Sequence, residues 1–235
     1  MRNLSATKIN LSLLFLLGAV LAVKFVLIPL IIGPDGEQTA PHSEASPSVS
    51  HMSVPSGAVT LVGGARSADG VAVGYPHTMI GAISAASTYL DAAASTLDPD
   101  YAASVMRVAG ANAALPADLA ASTVALRGDL QLPTTGPLAS PISFQTVSEM
   151  YQLRDAAADH VLVLLLTEST FVNARGGMAQ TTGVFPVGMQ WIAGDWKLAS
   201  VGGTANYANL TATPYTQAAA SQGWFALVPA TGGAS

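Results

Sequence analysis

Residues 142–201 read ISFQTVSEMYQLRDAAADHVLVLLLTESTFVNARGGMAQTTGVFPVGMQWIAGDWKLASV, and the spacing of apolar residues in this stretch decides the fold. A period of two predicts three long strands, Ile142–Leu153, His160–Thr170 and Val184–Ile192, with a shorter fourth at Trp196–Val201. DAAAD, NARGG and Gly194-Asp195 supply the turns between them. Consecutive strands joined so tightly pair antiparallel. Val161–Leu166, VLVLLL, is apolar on both faces and belongs in the middle of the sheet. Phe185, Val187, Met189 and Trp191 share one side of the next strand, a face that helices must cover.

The helices lie upstream. Thr78 is a good N-cap, and Met79, Ile83, Ala86, Leu90, Ala93 and Leu97 follow in steps of four and three, which predicts a five-turn helix with one apolar face. Asp98-Pro99 stops it and starts a second, short helix whose stripe is Tyr101, Val105 and Val108. A third runs from about Pro116 to Arg127, with Gly128 placed to end it. Before them, Ala58–Val62 and Val71–Val73 are short β-prone pieces separated by the turn-rich GGARSADG. The fold class expected is α+β: three helices packed on a bent antiparallel sheet of about four strands, preceded by an N-terminal transmembrane helix.

That helix is read at residues 11–32, LSLLFLLGAVLAVKFVLIPLII, long enough at about 1.5 Å per residue to cross the roughly 30 Å hydrocarbon layer. Lys24 interrupts it in the outer half, where its stem lifts the ammonium toward the headgroups. The competing reading is a cleaved signal peptide with a site near Ala22; against it, the apolar run continues for eight residues past Lys24. Arg2 and Lys8 before the span, with Asp35 and Glu37 after it, place the N-terminus inside. The expected division is residues 1–10 as a cytoplasmic N-terminus, 11–32 as the span, 33–57 as a flexible Pro/Ser-rich linker, 58–201 as an extracytoplasmic cone-like domain and 202–235 as a C-terminal tail.

Composition narrows the function. With no cysteine, disulfides, thiolate metal sites and cysteine nucleophiles are excluded together. Only 10% of the 235 residues are charged, so much of the surface must be Ala, Gly, Ser and Thr. After residue 32 six basic residues face fourteen acidic ones, a field that repels phosphates and argues against direct nucleic-acid binding. HExxH, a nucleophile elbow, a phosphate loop, a dinucleotide fingerprint and a calcium loop are all missing, so no catalytic residue, metal ligand or cofactor is expected. His42 and His51 lie in the linker without partner ligands. Asp159 and His160 cannot converge as neighbours on a strand and are better read as a turn residue followed by a strand start, and Asp91, opposite the stripe of the first helix, is expected in water. The interaction or pocket candidates are Tyr75 and His77 before the first helix, Trp191 and Trp196 around the last hairpin, and Trp224 and Phe225 in the tail.

Three helices followed by a strand meander ending in Met189-Gln190-Trp191 and Gly194-Asp195-Trp196-Lys197-Leu198 resemble the nuclear transport factor two-like cone over about residues 74–201. Joined to one membrane helix, the arrangement is similar to bitopic inner-membrane assembly factors of type IV secretion and of conjugation systems in Gram-positive bacteria. The GYPHT motif at 74–78 also looks like membrane proteins carried on mobile elements of high-GC Gram-positives. The resemblance implies a non-enzymatic scaffold subunit that meets the lipid bilayer, other subunits of a membrane complex, or copies of itself. The alternatives are a small-molecule or lipid-binding accessory of an envelope transporter, and a cone-fold enzyme using His77 or an aspartate in its mouth.

Overall fold

The computed structural model describes residues 52–202 and 206–230. The order of elements is β1 (Val59–Thr60), β2 (Arg66–Ala68), β3 (Val71–Val73), α1 (Met79–Ala94), α2 (Pro99–Ala109), α3 (Leu115–Asp129), β4 (Ser143–Ala156), β5 (His160–Val172), β6 (Met178–Ile192) and β7 (Asp195–Val201), then a 3-10 turn at Ala208–Leu210, α4 (Gln217–Ser221) and β8 (Phe225–Val228). The domain is α+β, but the expected fold needs correcting in two respects.

The sheet has six strands, ordered β1-β8-β4-β5-β6-β7, where about four were expected, and it is mixed because β1 runs parallel to β8. Of the additional strands, β1 falls inside the β-prone Ala58–Val62, whose partner has no local signal, and β8 is four residues of the tail, too few to carry a period. The transmembrane helix is the second point. Residues 11–32 lie outside the described residues, and among those described no helix is long and apolar enough to cross a membrane.

Each helix start has a local cause. Thr78 Oγ1 accepts from Gly81 N at 3.0 Å, and Asp98 Oδ1 accepts from Asp100 N at 3.0 Å with Pro99 at the first position. The first helix stops at Ala94, before Leu97, and Ser95 Oγ then donates to Thr146 O at 2.8 Å, fixing the helix end to β4. Helix α1 is buried on more than its apolar stripe, since Ala82, Ser84, Ala85 and Ser87 are also inside. Small side chains let it lie as a central helix between the sheet and the other helices.

The meander is longer than its apolar pattern. Strand β6 begins at Met178, six residues before the first apolar pair, because Met178–Gly183 zips onto Thr167–Val172 through backbone bonds that polar side chains do not oppose. The last hairpin turns at Ala193-Gly194, one residue earlier than expected, with φ of 51° and 80°, the backbone of a two-residue type I′ loop.

Both faces of β5 are covered, by different means. On one, Val161, Val163 and Leu165 join Tyr151, Val187, Met189, Trp196 and Leu198 beneath the helices. On the other, Leu164 and Leu166 meet Met150, Ala219 and Trp224, a second core closed by the tail. The tail therefore crosses the sheet's outer face and then enters the sheet as β8 beside β4.

Candidate functional site

Two motifs remote in sequence meet at one corner. Residues 74–78, GYPHT, lead into α1, and residues 194–198, GDWKL, open β7. Asp195, 1% exposed, accepts from Tyr75 N on Oδ1 at 3.0 Å and from Lys197 Nζ on Oδ2 at 3.2 Å. Lys197 Nζ also donates to Val108 O at 2.9 Å, and the buried Trp196 indole donates to Pro76 O at 3.0 Å. Three successive residues of the hairpin thus hold the lead-in to α1 and the end of α2. Gly81 belongs to the same joint, because a Cβ there would collide with the Pro76 carbonyl.

Of the sequence candidates, the structure gathers Tyr75, His77, Trp191 and Trp196 here. Tyr75 is buried and meets Tyr89 edge-on at 5.8 Å. Burial pushes the Tyr75 hydroxyl's pKa up, a hydrogen bond with Thr88 opposes this, and the Asp195 charge adds to it. Burial likewise raises Tyr89, whose hydroxyl has no hydrogen-bond partner among the described residues.

His77 lies flat on Trp191 with centroids 4.1 Å apart. Its Nε2 is 2.9 Å from Ala158 O and 3.0 Å from Asp159 Oδ1, with His77 40% and Asp159 68% exposed. Asp159 lies in the turn and His160 is the first residue of β5, and their side chains part, His160 reaching Asp155 at 3.4 Å. The sequence reading missed that Asp159 meets a histidine 82 positions upstream, for which no local signal exists. The His77 cluster ties the start of α1 to the β4–β5 turn and stands apart from the cavity between α1, α3 and the sheet.

Trp224 and Phe225 are elsewhere. Trp224 is 2% exposed and donates from Nε1 to Leu210 O at 2.9 Å, while Phe225 tilts over Tyr151 at 5.9 Å. Trp224 fills its own chain's second core.

Asp91 is not in water. It is half-buried against β4, where its Oδ1 accepts from Ser148 N at 3.0 Å and Ser148 Oγ at 2.6 Å. Burial pushes its pKa up to about 6, the Ser148 and Ser87 hydrogen bonds pull it down, and Glu149 nearby raises it. A carboxyl that holds its proton more tightly folded than unfolded makes stability fall as pH rises from about 4 to about 6. Above that window the cost is fully present, on the order of 3 kcal/mol at most. Asp91→Asn keeps the acceptor without the charge, so its melting temperature should exceed the parent's at pH 7.5 and converge with it near pH 4. A lower melting temperature at both pH values would show that the carboxylate itself is needed.

A cavity of about 60 Å³ opens on the helix face of the sheet, between α1, α3 and the meander. Leu90, Leu119, Leu126, Phe144, Phe185 and Leu198 are its large apolar side chains, and no charged residue lines it. Among the described residues no cluster of three or more His, Asp or Glu is placed to hold a metal ion.

A comparison with curated proteins finds no match. A solved structure from Xanthomonas campestris, named for a calcium/calmodulin dependent protein kinase II association domain, is similar at 13% identity with a TM-score of 0.34, covering 55% of this chain and 83% of that one. An overlap of that size says nothing about what this chain does. A family model matches residues 33–226, a span that takes in both the Pro/Ser-rich stretch before the domain and most of the tail after it. The chain belongs to that family, described as Domain of unknown function (DUF8175).

Proposed function

We propose that this protein is a non-enzymatic scaffold subunit of a conjugative or type IV secretion-like machinery, displayed outside the cytoplasmic membrane and acting through protein–protein contacts. The apolar stretch at 11–32 and its basic N-terminal flank support the location. The observation that carries the role is how the charged groups are used. Asp195 and Lys197 hold the lead-in to α1, His77 and Asp159 hold the β4–β5 turn, and Asp91 holds β4, while the cavity wall carries no ionisable group to move a proton.

Surface remains for partners. Met178 at the β5–β6 tip is 69% exposed and Tyr101 on α2 is 46% exposed. With a photocrosslinking residue at either position in the whole chain, in cells that are actively transferring, irradiation should give bands of defined mass. Mass spectrometry should find in them another membrane subunit or a second copy of the chain. Uncrosslinked monomer alone at both positions would remove the proposal.

A further inference from the structure

We propose that the cavity between α1, α3 and the sheet is a binding site for the uncharged alkyl part of a small molecule or lipid, a property beyond the scaffold role. Its size is the first reason. Close-packed interiors leave few voids larger than one water, whereas about 60 Å³ is roughly twice the volume a water occupies in the liquid, room for a few carbons of an alkyl chain.

The chemistry of the wall is the second. The sheet floor changes beneath the cavity from Leu and Val to hydroxyls, of which the buried pair Thr146 and Ser169 is already engaged, while Thr181 and Thr182 are only half-buried. Thr146 Oγ1 and Ser169 Oγ bond each other at 2.9 Å, and Thr146 Oγ1 also reaches Ala94 O at 3.3 Å. On α3, Ser122 Oγ donates to Asp118 O and Thr123 Oγ1 to Leu119 O, each at 2.9 Å. A buried water wants two to four polar partners, and hydroxyls that have given their protons to neighbours offer it little. Such a space favours carbon over water, and a charged group would enter without a counter-ion.

A way in exists. Thr96, Leu126, Phe144, Thr182 and Val201 line the cavity and are only half-buried, so they form its rim. An alkyl tail can enter there while a polar head stays in water.

The test uses the whole chain in its own membranes and two photoactivatable probes, a diazirine-bearing octanol and a phosphatidylcholine with a diazirine in its acyl chain. Adducts should map to the stretches 90–96 and 119–126. Labelling by both probes identifies a lipid chain as the ligand source, and labelling by octanol alone identifies a free small molecule. Ala93→Leu, which grows a side chain into the space, should cut labelling at least tenfold without lowering the melting temperature, and Thr123→Leu provides the same reading from the opposite wall. Adducts no denser at the lining than on the exposed β5–β6 tip, or labelling untouched in both filled variants, would overturn the site. Since neither variant alters Met178 or Tyr101, partner crosslinks there should persist, which separates failure of the site from failure of the scaffold role.

Discussion

Asp195→Ala is expected to destabilise the domain by about 3–5 kcal/mol, the range for removing one member of a buried ion pair. Two groups lose their partner at once. The Tyr75 amide, 3.0 Å from Oδ1, is left as a buried donor without an acceptor, a loss of about 1–3 kcal/mol by itself. The Lys197 ammonium, with a side chain only 21% exposed, keeps the Val108 carbonyl but loses its counter-charge. Because Tyr75 leads directly into α1, the damage should spread to the Trp196–Pro76 bond and the His77 stack. Denaturant unfolding of the whole chain measures the loss. Combining Asp195→Asn with Lys197→Met should cost clearly less than the sum of the two, since each alone strands the other's charge. A loss below 1 kcal/mol for Asp195→Ala would mean that the corner is held by packing alone.

Trp224→Ala should be comparably costly, about 3–5 kcal/mol, and should do something that a change in the helix-side core does not. The indole is the largest side chain of the second core, and its Nε1–H fixes Leu210 O, so its loss frees the tail from both its apolar and its polar hold. The face left behind is built from Met150, Leu164 and Leu166. Limited proteolysis should then cut within residues 206–222 well before the rest of the domain, and the variant should aggregate through its bared sheet. If the tail resisted cleavage as well as the parent's, the second core would not be what retains it.

The parts that were legible in the sequence announce themselves locally. Thr78 and Asp98-Pro99 mark helix starts because capping chemistry acts over three or four residues, and VLVLLL at 161–166 reveals a strand buried on both faces through composition alone. What covers its second face was not legible. The tail's Ala, Thr and Gly have no period, and Trp224 finds Leu164 and Leu166 only through contacts made after folding. The candidate site divides in the same way. Tyr75, His77, Trp191 and Trp196 stand out in sequence as aromatic residues flanking turns, but their convergence at one corner, where Tyr75 N meets Asp195 120 positions away, is a product of topology. Asp91 was misplaced because position on a helical wheel says which way a side chain points, not whether a strand such as β4 lies there to receive it. The cavity depends on a floor where Thr146, Ser169 and Gly183 interrupt the larger residues, and in sequence these look like ordinary strand polarity.

The pairing of β1 with β8 has a mechanical consequence. Val59 lies beside Leu227 and Thr60 beside Val228, both running the same way, and Leu61 N donates to Val228 O at 2.8 Å. Chain leading into β1 and chain leaving β8 depart from opposite ends of this short ladder. Tension between them pulls the two strands lengthwise past each other and loads every rung simultaneously, so none can be peeled off alone. The Tyr151 hydroxyl, held by the Gly57 carbonyl at 2.7 Å, adds a brace just ahead of that ladder. A tug on the N-terminal side therefore meets resistance before it reaches the helices or the cavity.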